Sequence, residues 1–304
     1  MVDTRQITIS LPDARNEYQK FLAADAAEAA KGAGLRLRTH FAESEAMTQI
    51  AQLFESLRAE GSEASQAIMM MPVHPAIGRL VRAGARSGVA WAFLNRRPEG
   101  LEDLRQEFPA VPMLFVGPNQ VEVGAIQGRQ LKRLLPEGGS VLCVQGSASD
   151  ASPQERLAGL RDAVESSTVK IVGVVDGNWK EPLAEKAVAR WLRLMLPTGV
   201  KLDLVSCQAD SMAAGARKAL QAAAADLGEP RLAHLPITGC AGTPNEGQRY
   251  VGEGWLAATV VLPSSGGPAV DLLARALDGE PPPADTLLPS HSHPPEDALG
   301  AVRP

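Results

Sequence analysis

Polar and aromatic side chains follow the apolar runs of this sequence, at the places where small-molecule chemistry is concentrated in parallel-sheet proteins. In an open parallel sheet, the loops that follow the strands meet at one edge, and ligands bind there. Planar amides and guanidiniums can hydrogen-bond a polar molecule while an aromatic ring covers its apolar face. These residue types therefore indicate reversible binding. The candidates are Asn16, Tyr18, Gln19, Asn95, Arg96, Arg156, Asn178, Trp179, Gln208 and Asp210.

Three of these candidates have a structural alternative that the sequence leaves open. Asn16 is placed to cap the helix that follows it, and Asp210 is placed to cap a later helix. For Arg156 the alternative is an ion pair with Glu155 or Asp162 on its own helix. The hydrogen-bond partners of each side chain in the folded protein are needed to distinguish capping or ion pairing from ligand contact.

Signals for catalysis, cofactors and metals are weak. There is no GxGxxG after the first strand, no phosphate-binding GxxxxGK[ST] loop, no GxSxG elbow and no HExxH. His40, His74 and His234 stand alone in the sequence, and no pair of carboxylates lies at strand ends. His291 and His293 lie in a Pro-rich tail, which we expect to be mobile or loosely packed rather than to bind metal. The sequence therefore predicts a non-enzymatic protein without cofactor or metal.

Composition limits the partners of the chain. It has 304 residues, of which 45% are hydrophobic and 21% charged, with a formal net charge of −5. This charge argues against a nucleic-acid surface, which needs a basic stripe. No apolar run approaches the ~20 residues that span a bilayer. The three cysteines, Cys143, Cys207 and Cys240, are predicted to be buried thiols, with a disulfide between Cys207 and Cys240 as the alternative.

Hydrophobic periodicity predicts two α/β lobes in series, each with alternating strands and helices. The final predicted helix, 269–278, is spare in the second lobe, so we expect it to return to the first. The predicted strands are 7–11, 35–39, 67–72, 89–94, 113–116, 141–145, 171–175, 202–205, 232–237 and 257–262. The predicted helices are 17–31, 48–60, 77–87, 121–135, 154–166, 182–196, 213–227, 248–254 and 269–278.

Five segments, in order and at suitable spacing, resemble the ribose-type periplasmic sugar-binding proteins, which share their fold with the effector domains of LacI-type repressors. Residues 208–220 resemble the QNDEMALGALRAL segment of that family, and residues 239–244 resemble its GFDGTP. Residues 254–260 are similar to GKLAATI, 94–96 to LDR, and 154–160 to ARERGEGF. The resemblance extends over most of the chain.

The resemblance implies two doubly wound parallel-sheet lobes joined by a three-stranded hinge, with a ligand cleft between them. The implied N-terminal lobe is 1–116 plus 262–286, and the C-terminal lobe is 117–261 plus 287–304. Gln208 and Asp210 are included in the predicted ligand site because of their position at a strand end. The family's ligand contacts match Asn16, Tyr18, Gln19, Met71, Asn95, Arg96, Arg156, Trp179, Ala209, Cys240, Ala241 and Val261.

The sequence departs from the family pattern at side chains that normally hold sugar hydroxyls. Each lost hydrogen bond that leaves its partner unpaired costs roughly 1–3 kcal/mol, so tight binding of a common pentose or hexose is not expected. Arg96 and Arg156 remain, and we expect a less hydroxylated or anionic ligand whose carboxylate one of them could clamp. The departures are Met71, Asn95, Ala209, Ala241 and Val261.

The function that the resemblance implies is that of an extracytoplasmic solute-binding protein. It would act as a monomer, capture a small sugar-like or anionic ligand by hinge closure, and deliver it to a membrane ABC transporter. The alternative is the effector-sensing core of a LacI-type regulator or sensor, which would be cytoplasmic. The chain enters a strand at once and contains no signal-peptide core, so export would require a leader that has been removed. We expect no nucleic-acid binding by this chain alone.

Overall fold

The computed structural model describes residues 5–148 and 150–301. They form two compact units, and the chain passes between them three times. Unit 1 contains the residues up to Pro118 and the segment Pro263–Leu288, and unit 2 contains Asn119–Leu262 and the residues from Pro289 onward. The crossings therefore lie at 118/119, 262/263 and 288/289, compared with predicted boundaries at 116/117, 261/262 and 286/287.

Unit 1 is a parallel sheet with helices between its strands. The sheet order is β11-β5-β4-β3-β1-β2, and every neighbouring pair is parallel. Its strands are β1 (Gln6–Leu11), β2 (Arg36–Phe41), β3 (Ser65–Met70), β4 (Ala90–Leu94), β5 (Met113–Pro118) and β11 (Asp285–Leu288). Its helices are α1 (Glu17–Gly32), α2 (Ala46–Arg58), α3 (Gly78–Arg86), α4 (Leu101–Glu107) and α10 (Gly266–Leu277).

Unit 2 repeats the same strand order with a different last strand. The sheet order is β12-β10-β9-β8-β6-β7, in which only the pairing of β12 with β10 is antiparallel among the described strands. Its strands are β6 (Gly139–Gln145), β7 (Val169–Asp176), β8 (Leu204–Cys207), β9 (Ile237–Ala241), β10 (Ala258–Val261) and β12 (His291–His293). Its helices are α5 (Gln120–Leu134), α6 (Ala151–Val164), α7 (Glu181–Met195), α8 (Asp210–Asp226) and α9 (Arg249–Gly252).

Continuous apolar runs account for the central strands of both sheets. All five residues of β4 and all four of β8 are buried, as expected for parallel strands that helices cover on both faces. In unit 1, Trp91 and Phe93 of β4 lie in one core with Leu53 of α2 and Leu80 of α3. These cores hold the carboxyl ends of the strands in fixed positions.

The predicted fold class of two doubly wound lobes is confirmed, and so is the return of the last helix, because α10 packs on α1 in unit 1. Cys143, Cys207 and Cys240 are buried free thiols, as predicted, and the disulfide alternative is wrong. None of the helices formed by the described residues is long and apolar enough to cross a membrane.

Two predicted elements are wrong. The predicted strand at 232–237 is instead a short 3₁₀ turn, Pro230–His234, followed by β9 from Ile237. The tail is not loosely packed, because β11 pairs with β5 and β12 pairs with β10. In the tail, Ser292 is buried and accepts a hydrogen bond from Gln130 Nε2 (2.9 Å). The tail is ordered because its strands pair with strands that are distant in sequence, and the Pro-rich composition gives no local indication of this pairing.

Candidate functional site

The predicted ligand residues of unit 1 lie in the loops at the carboxyl ends of its strands. The order β2-β1-β3 means that the chain leaves β1 and β3 toward opposite faces of the sheet, which opens a crevice between their following loops. Gln49 of α2 holds this edge together. Its Nε2 donates to Met71 O (2.9 Å) and Ser10 Oγ (3.1 Å), and its Oε1 accepts from Val73 N (2.8 Å). Gln49 thus fixes the loop that carries Met71.

Asn16 and Gln19 shape the loop between β1 and α1. Asn16 is the N-cap of α1, and its Oδ1 accepts a hydrogen bond from Gln19 N (3.1 Å). Gln19 Oε1 accepts from Asp13 N (2.6 Å), and this side chain is buried. The capping alternative for Asn16 is therefore confirmed. Both residues stabilise the backbone at the edge where ligand contact is predicted.

Tyr18 and Asn95 belong to one buried hydrogen-bond network at the ends of α1 and β4. Asn95 Nδ2 donates to Tyr18 Oη (2.7 Å), and Tyr18 Oη donates to Pro263 O (2.9 Å). Ser265 Oγ donates to Asn95 Oδ1 (2.8 Å). Asn95 has φ +59°, a left-handed conformation that asparagine tolerates better than most residues. The network ties two predicted ligand residues to the segment that enters unit 1 at its second crossing.

Arg96 and Met71 meet at the loops that follow β4 and β3. Arg96 is half-buried, and its Nη1 donates to the carbonyl oxygen of Pro72 (3.2 Å). Met71 is only 4% exposed and lies directly before that proline. The structure therefore brings this predicted arginine and the predicted apolar position together.

In unit 2, Arg156 of α6 is the centre of the predicted site. It is 5% exposed, its Nε donates to Gln120 Oε1 (2.7 Å), and its Nη1 donates to Gln208 O (2.9 Å). Cys240 Sγ lies 3.5 Å from Nη1. Arg156 thus joins α5, the end of β8 and the end of β9, and it does not form the ion pair on its own helix that was the alternative. Gln120 was not a predicted site residue.

Trp179 covers the guanidinium of Arg156. The Arg156 Cζ atom lies 5.5 Å from the centre of the indole ring, and Trp179 Nε1 donates to Asp150 Oδ2 (3.0 Å). Asn178 and Trp179 both have positive φ values, +50° and +61°. The ring also packs so closely on Gly146 that a Cβ atom there would overlap it. A strained turn and a glycine therefore direct the half-buried ring toward Arg156.

Gln208 connects the loops that diverge at the switch point of the second sheet, between β6 and β8. Its Oε1 accepts from Gly146 N (3.1 Å), and its Nε2 donates to Pro153 O (3.0 Å). The side chain is 5% exposed. Gln208 therefore holds the loop after β6 and the start of α6 beside the end of β8.

Asp210 is a buried carboxylate that links β8 to β9 and β10. Its Oδ2 accepts from Gly242 N (2.7 Å), and its Oδ1 accepts from Thr259 Oγ1 (2.7 Å). Burial raises the pKa of Asp210 to about 6, while these two hydrogen bonds oppose the rise. The cap position of α8 is Ala209, without a side-chain cap, so the capping alternative for Asp210 is wrong.

The remaining predicted contacts in unit 2 have side chains that form few or no hydrogen bonds. Ala209, Ala241 and Val261 are half-buried, whereas Cys240 is fully buried. Burial raises the pKa of the Cys240 thiol to about 11, because the thiolate would be desolvated. Ala241 has φ +115° and precedes Gly242, whose missing side chain leaves room for Val261. Among the described residues, no cluster of His, Cys, Asp and Glu side chains could hold a metal ion.

Comparison with known proteins identifies the family. The model of the periplasmic binding protein domain matches residues 7–281. A D-ribose/D-allose-binding protein of Pseudomonas aeruginosa is 35% identical over 109 residues, which cover 36% of this chain and 33% of the relative. A ribose import binding protein of Salmonella typhimurium is 28% identical over 159 residues, covering 52% of this chain and 50% of the relative. The chain thus matches half or less of the length of these curated relatives.

Solved structures show the same fold over nearly the whole chain. A solute-binding protein of an ABC transporter from Bacillus halodurans, solved with myo-inositol, has a TM-score of 0.79 at 20% identity, with 96% of this chain and 95% of that chain covered. A periplasmic solute-binding protein from Actinobacillus succinogenes, solved with D-allose, has a TM-score of 0.80 at 18% identity, with 95% and 96% covered. The chain therefore belongs to the periplasmic binding protein family, as a type I member of the ribose type.

Proposed function

We propose that this protein is a non-enzymatic, extracytoplasmic solute-binding protein that takes up one small polar molecule reversibly. The observation that carries the proposal is the position of the predicted ligand residues. In each unit of this family member, they lie at the carboxyl ends of the parallel strands, around the switch point of the sheet. This is the edge at which doubly wound sheets bind ligands.

Internal hydrogen bonds support the binding role because they hold the edge residues in place before any ligand arrives. Asn95 is fixed by Tyr18 and Ser265, and Arg156 is fixed by Gln120 and Gln208. A side chain that is already ordered loses less conformational entropy on binding. We propose that the three crossings act as the hinge, and that the ligand shifts the population toward the state to which it binds more tightly.

The proposed partner is the permease of a membrane ABC transporter, to which the protein, as a monomer, delivers its ligand. The curated relatives are named as binding proteins, and one is named for ribose import. These names support a transport role, whereas the alternative of a regulator's effector-sensing core receives no support from them. No nucleic-acid partner is proposed.

The test is a thermal-shift screen followed by calorimetry, with Trp179 as the reporter residue. We expect one compound among neutral sugars, polyols and sugar acids to raise the melting temperature, because a ligand that binds only the folded state stabilises it. Trp179→Ala should weaken binding of that compound at least about tenfold, through loss of the ring that covers one face of the ligand.

Trp255→Ala is the matched control in the same unit. Trp255 is 50% exposed, stacks on Tyr250 with ring centres 5.7 Å apart, and is not one of the predicted ligand contacts. This variant should bind as the unmodified protein does. Equal affinity of the Trp179→Ala variant and the unmodified protein would remove Trp179 from the site, and a screen without any stabilising compound would contradict the proposed function.

A further inference from the structure

Arg156 is a buried cation whose hydrogen-bond partners in the protein are all neutral. It is 5% exposed, and its partners are an amide oxygen of Gln120, the backbone carbonyl of Gln208 and the thiol of Cys240. Among the described residues, no carboxylate forms an ion pair with it. Burying a charge without a counter-charge is costly, and proteins normally pair such groups.

Asp150 and Asp210 are each linked to Arg156 through one shared neighbour, Trp179 or Cys240, and both accept hydrogen bonds from other donors. Asp150 accepts from the indole Nε1 of Trp179, and Asp210 accepts from Gly242 N and Thr259 Oγ1. The Cys240 thiol, with its pKa of about 11, carries no charge at neutral pH. Neither carboxylate nor thiolate therefore neutralises the guanidinium directly.

The guanidinium also keeps one donor group for a ligand. The hydrogen bonds that the described residues make with Arg156 use Nε and Nη1, which leaves Nη2. The face of the same group is covered by Trp179, so that an incoming group meets it in a fixed orientation. A planar oxyanion such as a carboxylate matches the edge of a guanidinium, and a charge-assisted hydrogen bond is about twice as strong as a neutral one.

We propose that the ligand of this protein is a small organic acid, whose carboxylate is held by Arg156 and supplies the missing counter-charge. The proposal rests on the solute-binding function proposed above and specifies its ligand class. The half-buried Ala209 and Ala241 offer no hydroxyl-binding side chain, which fits a ligand with few hydroxyls near this arginine.

The experiment compares pairs of probes that keep the same sugar ring and differ in the oxidation of one carbon to a carboxylate. Calorimetry would measure galacturonate against galactose and glucuronate against glucose, with ribose 5-phosphate against ribose to separate a carboxylate from a phosphate. We expect the acid of at least one pair to bind at least about tenfold more tightly than its neutral sugar, which is the smallest effect of one charged hydrogen bond.

Variants then assign the preference to Arg156. Arg156→Gln should abolish the preference for the acid, and Arg156→Lys should retain part of it because the charge remains. Arg161→Gln is the matched control, since Arg161 lies exposed on the same helix and its loss removes the same charge. This control should leave the preference unchanged. Circular dichroism of each variant establishes that it is folded, and the comparison on the unmodified protein stands without the variants.

The outcomes distinguish the two proposals. Tighter binding of a neutral sugar than of its acid would overturn the ligand class and leave the solute-binding function standing. Preference for ribose 5-phosphate over every carboxylate would also overturn it, in favour of a phosphorylated ligand. No binding of any probe would contradict both proposals. An acid preference that survives in Arg156→Gln would overturn the assignment to this arginine.

Discussion

At the scale of single residues, the buried carboxylate of Asp210 connects two segments of the chain by hydrogen bonds, but its ionisation in the protein interior lowers the free energy of unfolding. The carboxylate joins the loop after β9 to β10 through Gly242 and Thr259, yet it is 1% exposed. Burial raises its pKa from 3.8 to about 6, which means that the folded protein binds its proton more tightly than the unfolded chain does. The stabilising contribution of this group is therefore complete below the unfolded pKa and is lost as the pH rises through about 6.

Asp210→Asn should isolate this effect, because asparagine does not titrate. We expect the free energy of unfolding of the natural protein, relative to that of the variant, to fall by about 2 kcal/mol between pH 4 and pH 7, because at pH 4 the unfolded carboxyl is already partly ionised. Urea unfolding of both proteins across this range measures the difference, and other titrating groups cancel in the comparison. A difference that stays constant with pH, or that increases, would show that Asp210 is not buried as the structure places it.

At the scale of elements, the packing of α5 against α6 positions Arg156. A Cβ atom on Gly159 would collide with the carbonyl of Val121, and one on Gly124 would collide with the carbonyl of Arg156 itself. The two helices can approach this closely only because glycine lies at both contacts. The guanidinium of Arg156 reaches Gln120 at the start of α5 as a consequence of this approach.

Gly159→Ala should therefore separate the helices and destabilise unit 2. Forcing a methyl group into a packed interface costs typically ~1–3 kcal/mol, and denaturant unfolding should show a loss in this range. Gly32→Ala is the control, because Gly32 ends α1 and has no atom near its missing Cβ. There the change should have little effect or a small stabilising one. Equal stability of the two variants would mean that α5 and α6 are not in close contact.

Elements that depend on local pattern could be predicted from the sequence, and those that depend on distant partners could not. Strands such as β4 are continuous apolar runs, so their positions follow from composition alone. The run around Leu232 also has strand-like composition, but Pro230 opens a 3₁₀ turn there, and periodicity alone does not separate the two. β11 and β12 are strands because they pair with β5 and β10, which are distant in sequence.

The same distinction applies to the candidate site. Residues at strand ends, such as Asn95 and Gln208, could be predicted because parallel sheets collect their loops at one edge. Gln49 was missed because it reaches the site from within a helix, and no local signal marks which polar residue of an amphipathic helix is turned inward. Gln120 lies two residues after β5, at the start of α5, so its position at a strand end could have indicated it. For Gln49 the only hint is a polar residue among the apolar positions of α2, where it proves to be 1% exposed.

At the scale of the whole molecule, the chain builds each unit from segments that are far apart in sequence. After Asn119–Leu262, which belongs to unit 2, the segment Pro263–Leu288 belongs to unit 1 again, and the residues from Pro289 onward belong to unit 2. In unit 2 the returning segment adds β12 to the edge of β10, and Gln130 of α5 donates to both Thr259 O (3.0 Å) and Ser292 Oγ (2.9 Å). The completeness of this sheet therefore depends on β12.

A chain that ends at Leu288 should lose order at one edge of unit 2 while unit 1 stays folded. Without β12 the amides of β10 lose a neighbouring strand, and their hydrogen-exchange protection should fall at least about tenfold, whereas β3 and β4 in unit 1 should be unchanged. A chain that ends at Ala301 is the control and should keep full protection. Unchanged exchange in β10 would show that β12 does not cover that edge, and loss of protection in β4 as well would show that the two units do not hold their cores independently.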